Sequence, residues 1–94
     1  MEIMVLLFET GLDIETLAKT SNERYPKFKE VKGLVQKYYM SDANSNKVGG
    51  VYVFDTKENM DEFLNSDLSK STSEAYQFTK PEERMFFNVS RTLR

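Results

Sequence analysis

Gly33-Leu34-Val35-Gln36-Lys37-Tyr38-Tyr39-Met40, followed after a polar stretch by Gly49-Gly50-Val51-Tyr52-Val53-Phe54, is the part of the chain whose reading decides the fold. Two runs of strand length, rich in β-branched and aromatic residues, flank a linker of Ser, Asp, Asn, Lys and Val, which is turn chemistry. The stretch predicts a central β-hairpin with strands at about Leu34–Met40 and Val48–Phe54. Upstream, the apolar run Ile3–Phe8 predicts a strand. Asp13 is a good N-cap, and Ile14, Leu17, Ala18 and Ser21 recur at helical spacing, which predicts a helix with one buried stripe. Pro26 is expected to stop that helix at about Tyr25. Downstream, Asp55 or Thr56 caps a second helix whose Met60, Phe63, Leu64 and Leu68 face the sheet. Ser66–Ser73 reads as a loop, and Glu74–Thr79 as a short strand or extended segment. Arg84–Ser90 reads as the last strand. The order is βαββαβ: an α+β, ferredoxin-like chain with a four-stranded antiparallel sheet, and residues 1–94 read as a single domain.

Composition narrows the chemistry. The 94 residues carry a net charge of −2 with 39% hydrophobic content, which describes a folded chain with no basic excess for nucleic acid. Lys47-Val48-Gly49-Gly50-Val51-Tyr52-Val53-Phe54 loosely echoes an RNA-recognition motif, but glycine stands at Gly49 where a stacking ring is needed. There is no cysteine and no histidine. Disulfides, thiolate nucleophiles, zinc hydrolysis and ordinary haem ligation are therefore not expected, and neither flavin nor metal is called for. The longest apolar run is too short to span a bilayer, and Glu2 precedes it where a signal peptide carries positive charge. A cytoplasmic protein without membrane or nucleic-acid partners is the expectation.

The strands carry more apolar surface than two helices can cover. Met4, Leu6 and Phe8 are as apolar as Ile3, Val5 and Leu7, and Phe86 and Phe87 point to opposite faces. A second copy of the same sheet is the simplest cover, so a homodimer is expected.

The pattern Gly33-Leu34, Lys37-Tyr38-Tyr39, Gly49-Gly50-Val51-Tyr52-Val53-Phe54, then a helix with Phe63-Leu64, resembles the dimeric α/β-barrel superfamily. Within it, the chain is most similar to the YdhR-like monooxygenases, relatives of the antibiotic-biosynthesis monooxygenases. The resemblance is good over about residues 31–66. It implies two sheets packed face to face in a homodimer, with a pocket in each subunit between sheet and helices. It also implies oxidation of a phenolic or polycyclic aromatic substrate by oxygen without metal or flavin. The chain departs from several branches of that superfamily in having neither tryptophan nor histidine.

The candidate residues each carry two readings. Tyr38, Tyr39 and Tyr52 either orient a substrate oxygen or fill the core; Tyr38 and Tyr39 face opposite sides of their strand, so at most one lines a given pocket. Asn88 and Gln36 are polar residues in apolar strands, which either bond the neighbouring backbone or present polarity to a cavity. Arg24, Arg84 and Arg91 are surface charges or attract an anionic phenolate. Tyr38, Tyr52 and Asn88 form the expected catalytic lining, with Gln36, Tyr39, Phe54, Phe63 and Arg84 as substrate-binding candidates. Gly49-Gly50 precedes a strand, so it marks a bulge or close backbone approach, not a phosphate loop. Asp55, Glu58, Asp61 and Glu62 suit the start of a helix and lack calcium-loop spacing. The expected function is a cofactor-independent monooxygenase acting on a small aromatic or phenolic substrate. The alternatives are a non-catalytic ligand-binding or stress-response dimer, and a ring or lactone isomerase.

Overall fold

The computed structural model describes residues 1–94. In chain order the elements are β1 (Glu2–Glu9), α1 (Ile14–Lys29), β2 (Leu34–Asp42), β3 (Lys47–Phe54), α2 (Lys57–Leu64), α3 (Asp67–Lys70), α4 (Thr72–Ala75) and β4 (Glu83–Asn88). The sheet order is β2-β3-β1-β4 with every neighbour antiparallel, the ferredoxin-like arrangement the sequence predicts. No helix is long and apolar enough to cross a membrane.

The β2–β3 hairpin keeps its register except for a bulge between Leu34 and Gln36. The double glycine marks a close approach instead. A Cβ at Gly49 would lie 1.8 Å from the Leu6 carbonyl oxygen, so only glycine lets β3 come this near β1.

Alternation along the strands separates two faces. Met4, Leu6 and Phe8 of β1 and Tyr52 and Phe54 of β3 point toward the helices, where they meet Phe28, Met60, Phe63 and Tyr76 in one buried cluster. Phe63 lies 5.7 Å from Tyr52 and 5.6 Å from Phe54 between ring centroids. Ile3, Val5, Leu7, Val51, Val53, Tyr38, Met85 and Phe87 share the opposite, open face by register. Tyr38 is 58% exposed there and Phe87 54%. Both faces of β1 are thus apolar, as the sequence indicates, and Phe86 and Phe87 of β4 point to opposite faces, Phe86 sharing the helix side with Arg84 and Asn88.

Five expectations from sequence differ from the structure. Pro26 does not stop α1, which runs on to Lys29 with Pro26 inside it and exposed. The proline forfeits one hydrogen bond to the Asn22 carbonyl, and a helix-interior proline costs about 3 kcal/mol. Against that, the last turn buries Phe28 with its ring 6.1 Å from both Tyr52 and Phe63, worth roughly 1.5–3 kcal/mol by burial plus about 0.5–1.5 for each aromatic pair. The buried stripe of α1 is also shifted: Arg24 and Phe28 are its buried members, while Ile14 is 85% exposed and Ala18 is exposed too. The Ser66–Ser73 segment is not a loop but holds the single-turn helix α3 and the start of a second, α4, which runs on to Ala75. Ser66 caps α3 by accepting the Ser69 N–H, and serine serves loops and helix starts alike, so its abundance does not separate them. Finally, β4 ends at Asn88 rather than Ser90, and the extended reading of Glu74–Thr79 shrinks to a single bridge, Thr10 to Phe78, beside the stacked rings of Phe8 and Phe78.

Candidate functional site

A cavity of ≈ 290 Å³ lies between α1, the helix-facing side of β2 and β3, and the segment from α4 to Tyr76. That is close to the smallest volume usual for a small-molecule site. Phe8, Val48, Tyr52, Lys37 and Tyr39 line the sheet side. Leu17, Ser21, Arg24 and Phe28 form the α1 wall, Thr72 and Tyr76 close the far side, and Ile14 and Ala18 stand on the exposed start of α1. The lining is mainly apolar and aromatic, and no Asp or Glu contributes to it.

Two cations enter this wall. Arg24 is buried because it sits on the same stripe of α1 as Leu17, Ser21 and Phe28. Its Nη1 donates to Ser71 Oγ at 3.1 Å, and its Nη2 to the Leu68 carbonyl at 2.7 Å and Thr72 Oγ1 at 3.0 Å. Its guanidinium lies 5.6 Å from the Tyr76 ring centroid, and its Nε is buried without a partner. One side chain therefore ties α1 to both α3 and α4.

Lys37 comes from β2, directly opposite Tyr52 in the hairpin register. Gly50 makes room for its stem, since a Cβ there would lie 3.3 Å from Lys37 Cε. The ammonium nitrogen is 3.4 Å from the Phe28 ring centroid, 4.1 Å from that of Tyr39 and 4.7 Å from that of Tyr52. The ion pairs of the chain, Lys47–Glu83, Lys57–Asp61, Lys80–Glu9 and Arg84–Glu82, do not include it. Burial, and secondarily the Arg24 charge, lower its pKa to about 7. Burial pushes the phenols of Tyr39 and Tyr52 up, so both stay protonated and able to donate. Asp, Glu and their absent His and Cys counterparts form no group of three that could hold a metal.

Among the residues singled out from sequence, Tyr52 and Tyr39 line the cavity. Tyr38 is on the open face, as is Gln36, whose side chain accepts from the Lys37 backbone N–H. Phe54 and Phe63 are core residues that do not line the cavity, although Phe63 packs directly behind Tyr52. Arg84 pairs with Glu82 at a separate, smaller depression. Asn88 is exposed at the end of β4 and donates to Glu2 Oε1 at 2.8 Å. The cavity thus gathers two of the eight. The residues that sequence reasoning passed over are Lys37 and the buried role of Arg24. Both signals were present: Lys37 shares its strand face with Tyr39, and Arg24 falls four residues before Phe28.

A family model described as "Putative mono-oxygenase ydhR" matches residues 4–92. No curated protein matches the chain significantly in sequence. Among solved structures, the chain is similar to SnoaB, a cofactor-independent oxygenase from Streptomyces nogalater, with 13% identity and a TM-score of 0.77 over 98% of this chain and 95% of that one. It is similar to Rv0793 from Mycobacterium tuberculosis, with 10% identity and a TM-score of 0.79 over 99% and 98%. A third is described as a "putative antibiotic biosynthesis monooxygenase" from Deinococcus radiodurans, with 10% identity and a TM-score of 0.78 over 100% and 97%. At these identities the likeness is one of fold.

Proposed function

The chain belongs to the ydhR mono-oxygenase family, and from that premise we propose that its helix-side cavity binds a small aromatic or phenolic substrate for oxidation by O₂ without metal, flavin or haem. The observation that carries the reading is the make-up of the wall: apolar and aromatic side chains, two cations and no carboxylate. Such a wall desolvates a ring and favours negative charge on it, so a phenol is held as its phenolate. The ionised phenol is the electron-rich form that oxygen attacks, and the substrate supplies the electrons. Arg24 and Lys37 set the potential. Tyr39 and Tyr52, as neutral phenols, donate hydrogen bonds to substrate oxygens. The same reading includes a homodimer paired through the open face, supported by the exposed Tyr38, Met85 and Phe87.

Oxygen uptake by the purified protein with a panel of hydroquinones and naphthols tests this. Saturable uptake is expected, and Tyr52→Phe should lower it about five-fold or more, the scale of one lost hydrogen bond of about 1 kcal/mol. Binding of the same compounds with no uptake identifies a ligand-binding protein instead. Absence of both overturns the site.

A further inference from the structure

Lys37 lines the cavity beside Arg24. Its Nζ is surrounded by the rings of Phe28, Tyr39 and Tyr52, within 3.4 to 4.7 Å of their centroids, and has no acidic partner. An amine that is desolvated in an apolar pocket beside another cation is a nucleophile toward carbonyl carbon. A cavity lined by rings selects the carbonyl compounds that fit it.

We propose that Lys37 captures aromatic and apolar aldehydes and ketones as an imine. Nζ attacks the carbonyl carbon, and the π pair moves to oxygen, which takes up the proton that nitrogen loses. The resulting carbinolamine expels that oxygen as water, the hydroxyl taking a second proton from a neighbouring phenol as the nitrogen lone pair forms the carbon–nitrogen double bond, and the phenolate recovers its proton from the iminium Nζ. No electrons are gained or lost, and water reverses the step. With its pKa held at about 7, a large share of the amine carries a free lone pair at neutral pH. The titratable groups lining the same cavity are the phenols of Tyr39, Tyr52 and Tyr76, and the one other charge is Arg24. Burial keeps the first two phenols protonated, so they are the acids available to the departing oxygen.

The test is reductive trapping. The purified chain is incubated with 2-naphthaldehyde and sodium cyanoborohydride, and the secondary amine is located by intact mass and peptide mapping. At pH 7 the label is expected on Lys37 ahead of the Met1 amine and every other lysine. From pH 7 to 9 labelling of Lys37 should rise no more than about two-fold, whereas an exposed lysine gains about ten-fold per unit. Lys37→Arg and Lys37→Met, each shown folded by circular dichroism, should both lose the fast label; the first keeps the charge, so its loss separates nucleophile from cation. Labelling spread by exposure, or an unchanged total rate in either folded variant, overturns the proposal. Naphthaldehyde carries no oxidisable phenol, so this result is independent of oxygen uptake.

Discussion

Lys37 is expected to weaken the fold in acid and neutral solution, and the sign follows from proton linkage. Its folded pKa of about 7 lies below its ordinary 10.5. Below pH 7 folded and unfolded chains both hold the proton, so the penalty of a desolvated charge is fully present. Between pH 7 and 10.5 the unfolded chain holds a proton that the folded chain has lost, and stability climbs with pH. Lys37→Met keeps the apolar stem and removes the charge. Its melting temperature should exceed that of the native chain at pH 6 and exceed it by less at pH 9, with each kcal/mol worth about 4–8 °C in a domain this size. Calorimetric melts at the two pH values measure this, and equal melting at pH 6 would mean that the amine stays hydrated. At this scale the sequence was legible in kind but not in direction. Alternation shows that Tyr38 and Tyr39 part company, yet which one faces the helices depends on the pairing of Lys37 with Tyr52 across the hairpin. Asn88 looks buried when its neighbours are phenylalanines, but β4 is an edge strand and Asn88 is exposed along with Phe86 and Phe87. Arg24 falls on the Leu17–Ser21 stripe even with Pro26 read as a stop; what the sequence does not display is the cover over it, which α3 and α4 supply through Leu68, Ser71 and Thr72.

The elements most legible in sequence are those with long, regular patterns: the hairpin, α2 with its Thr56 cap, and β1. The least legible are α3 and α4, single turns too short to carry a period and held by contacts from elsewhere. Arg24 is the main such contact, reaching the Leu68 carbonyl, Ser71 and Thr72. Arg24→Met should cost about 1.5–3 kcal/mol for the loss of hydrogen bonds from a charged donor. The damage should be local. Amide hydrogen exchange is expected to speed up across residues 67–76 while the β1–β3 ladder keeps its protection. Uniform acceleration throughout the chain would show that the arginine supports the whole core and not this segment.

For the whole molecule, the ferredoxin-like order follows from the element sequence, and the strand order β2-β3-β1-β4 realises it. What element order does not supply is the number of copies. The open face bears Ile3, Val5, Leu7, Val51 and Val53 with Tyr38 and Phe87 at large exposure, and a stable pairing removes on the order of 800 Å² from each partner. Multi-angle light scattering at micromolar concentration is expected to give twice the 11.0 kDa chain mass, and Val51→Asp to give the single chain with the cavity still able to bind. Native protein scattering as one chain would overturn the dimer. The sheet is one residue thick, and β1 runs through its middle with even-numbered side chains on the chamber side and odd-numbered ones on the other. It works as a bulkhead between two compartments of the same molecule. Phe8 lines the chamber while Met4 and Leu6 pack in the core beside it, so changes at these three act on the chamber directly or through its support, and changes at Ile3, Val5 or Leu7 act on the open face. The two properties can therefore drift apart in evolution, or be redesigned one at a time, along a single strand.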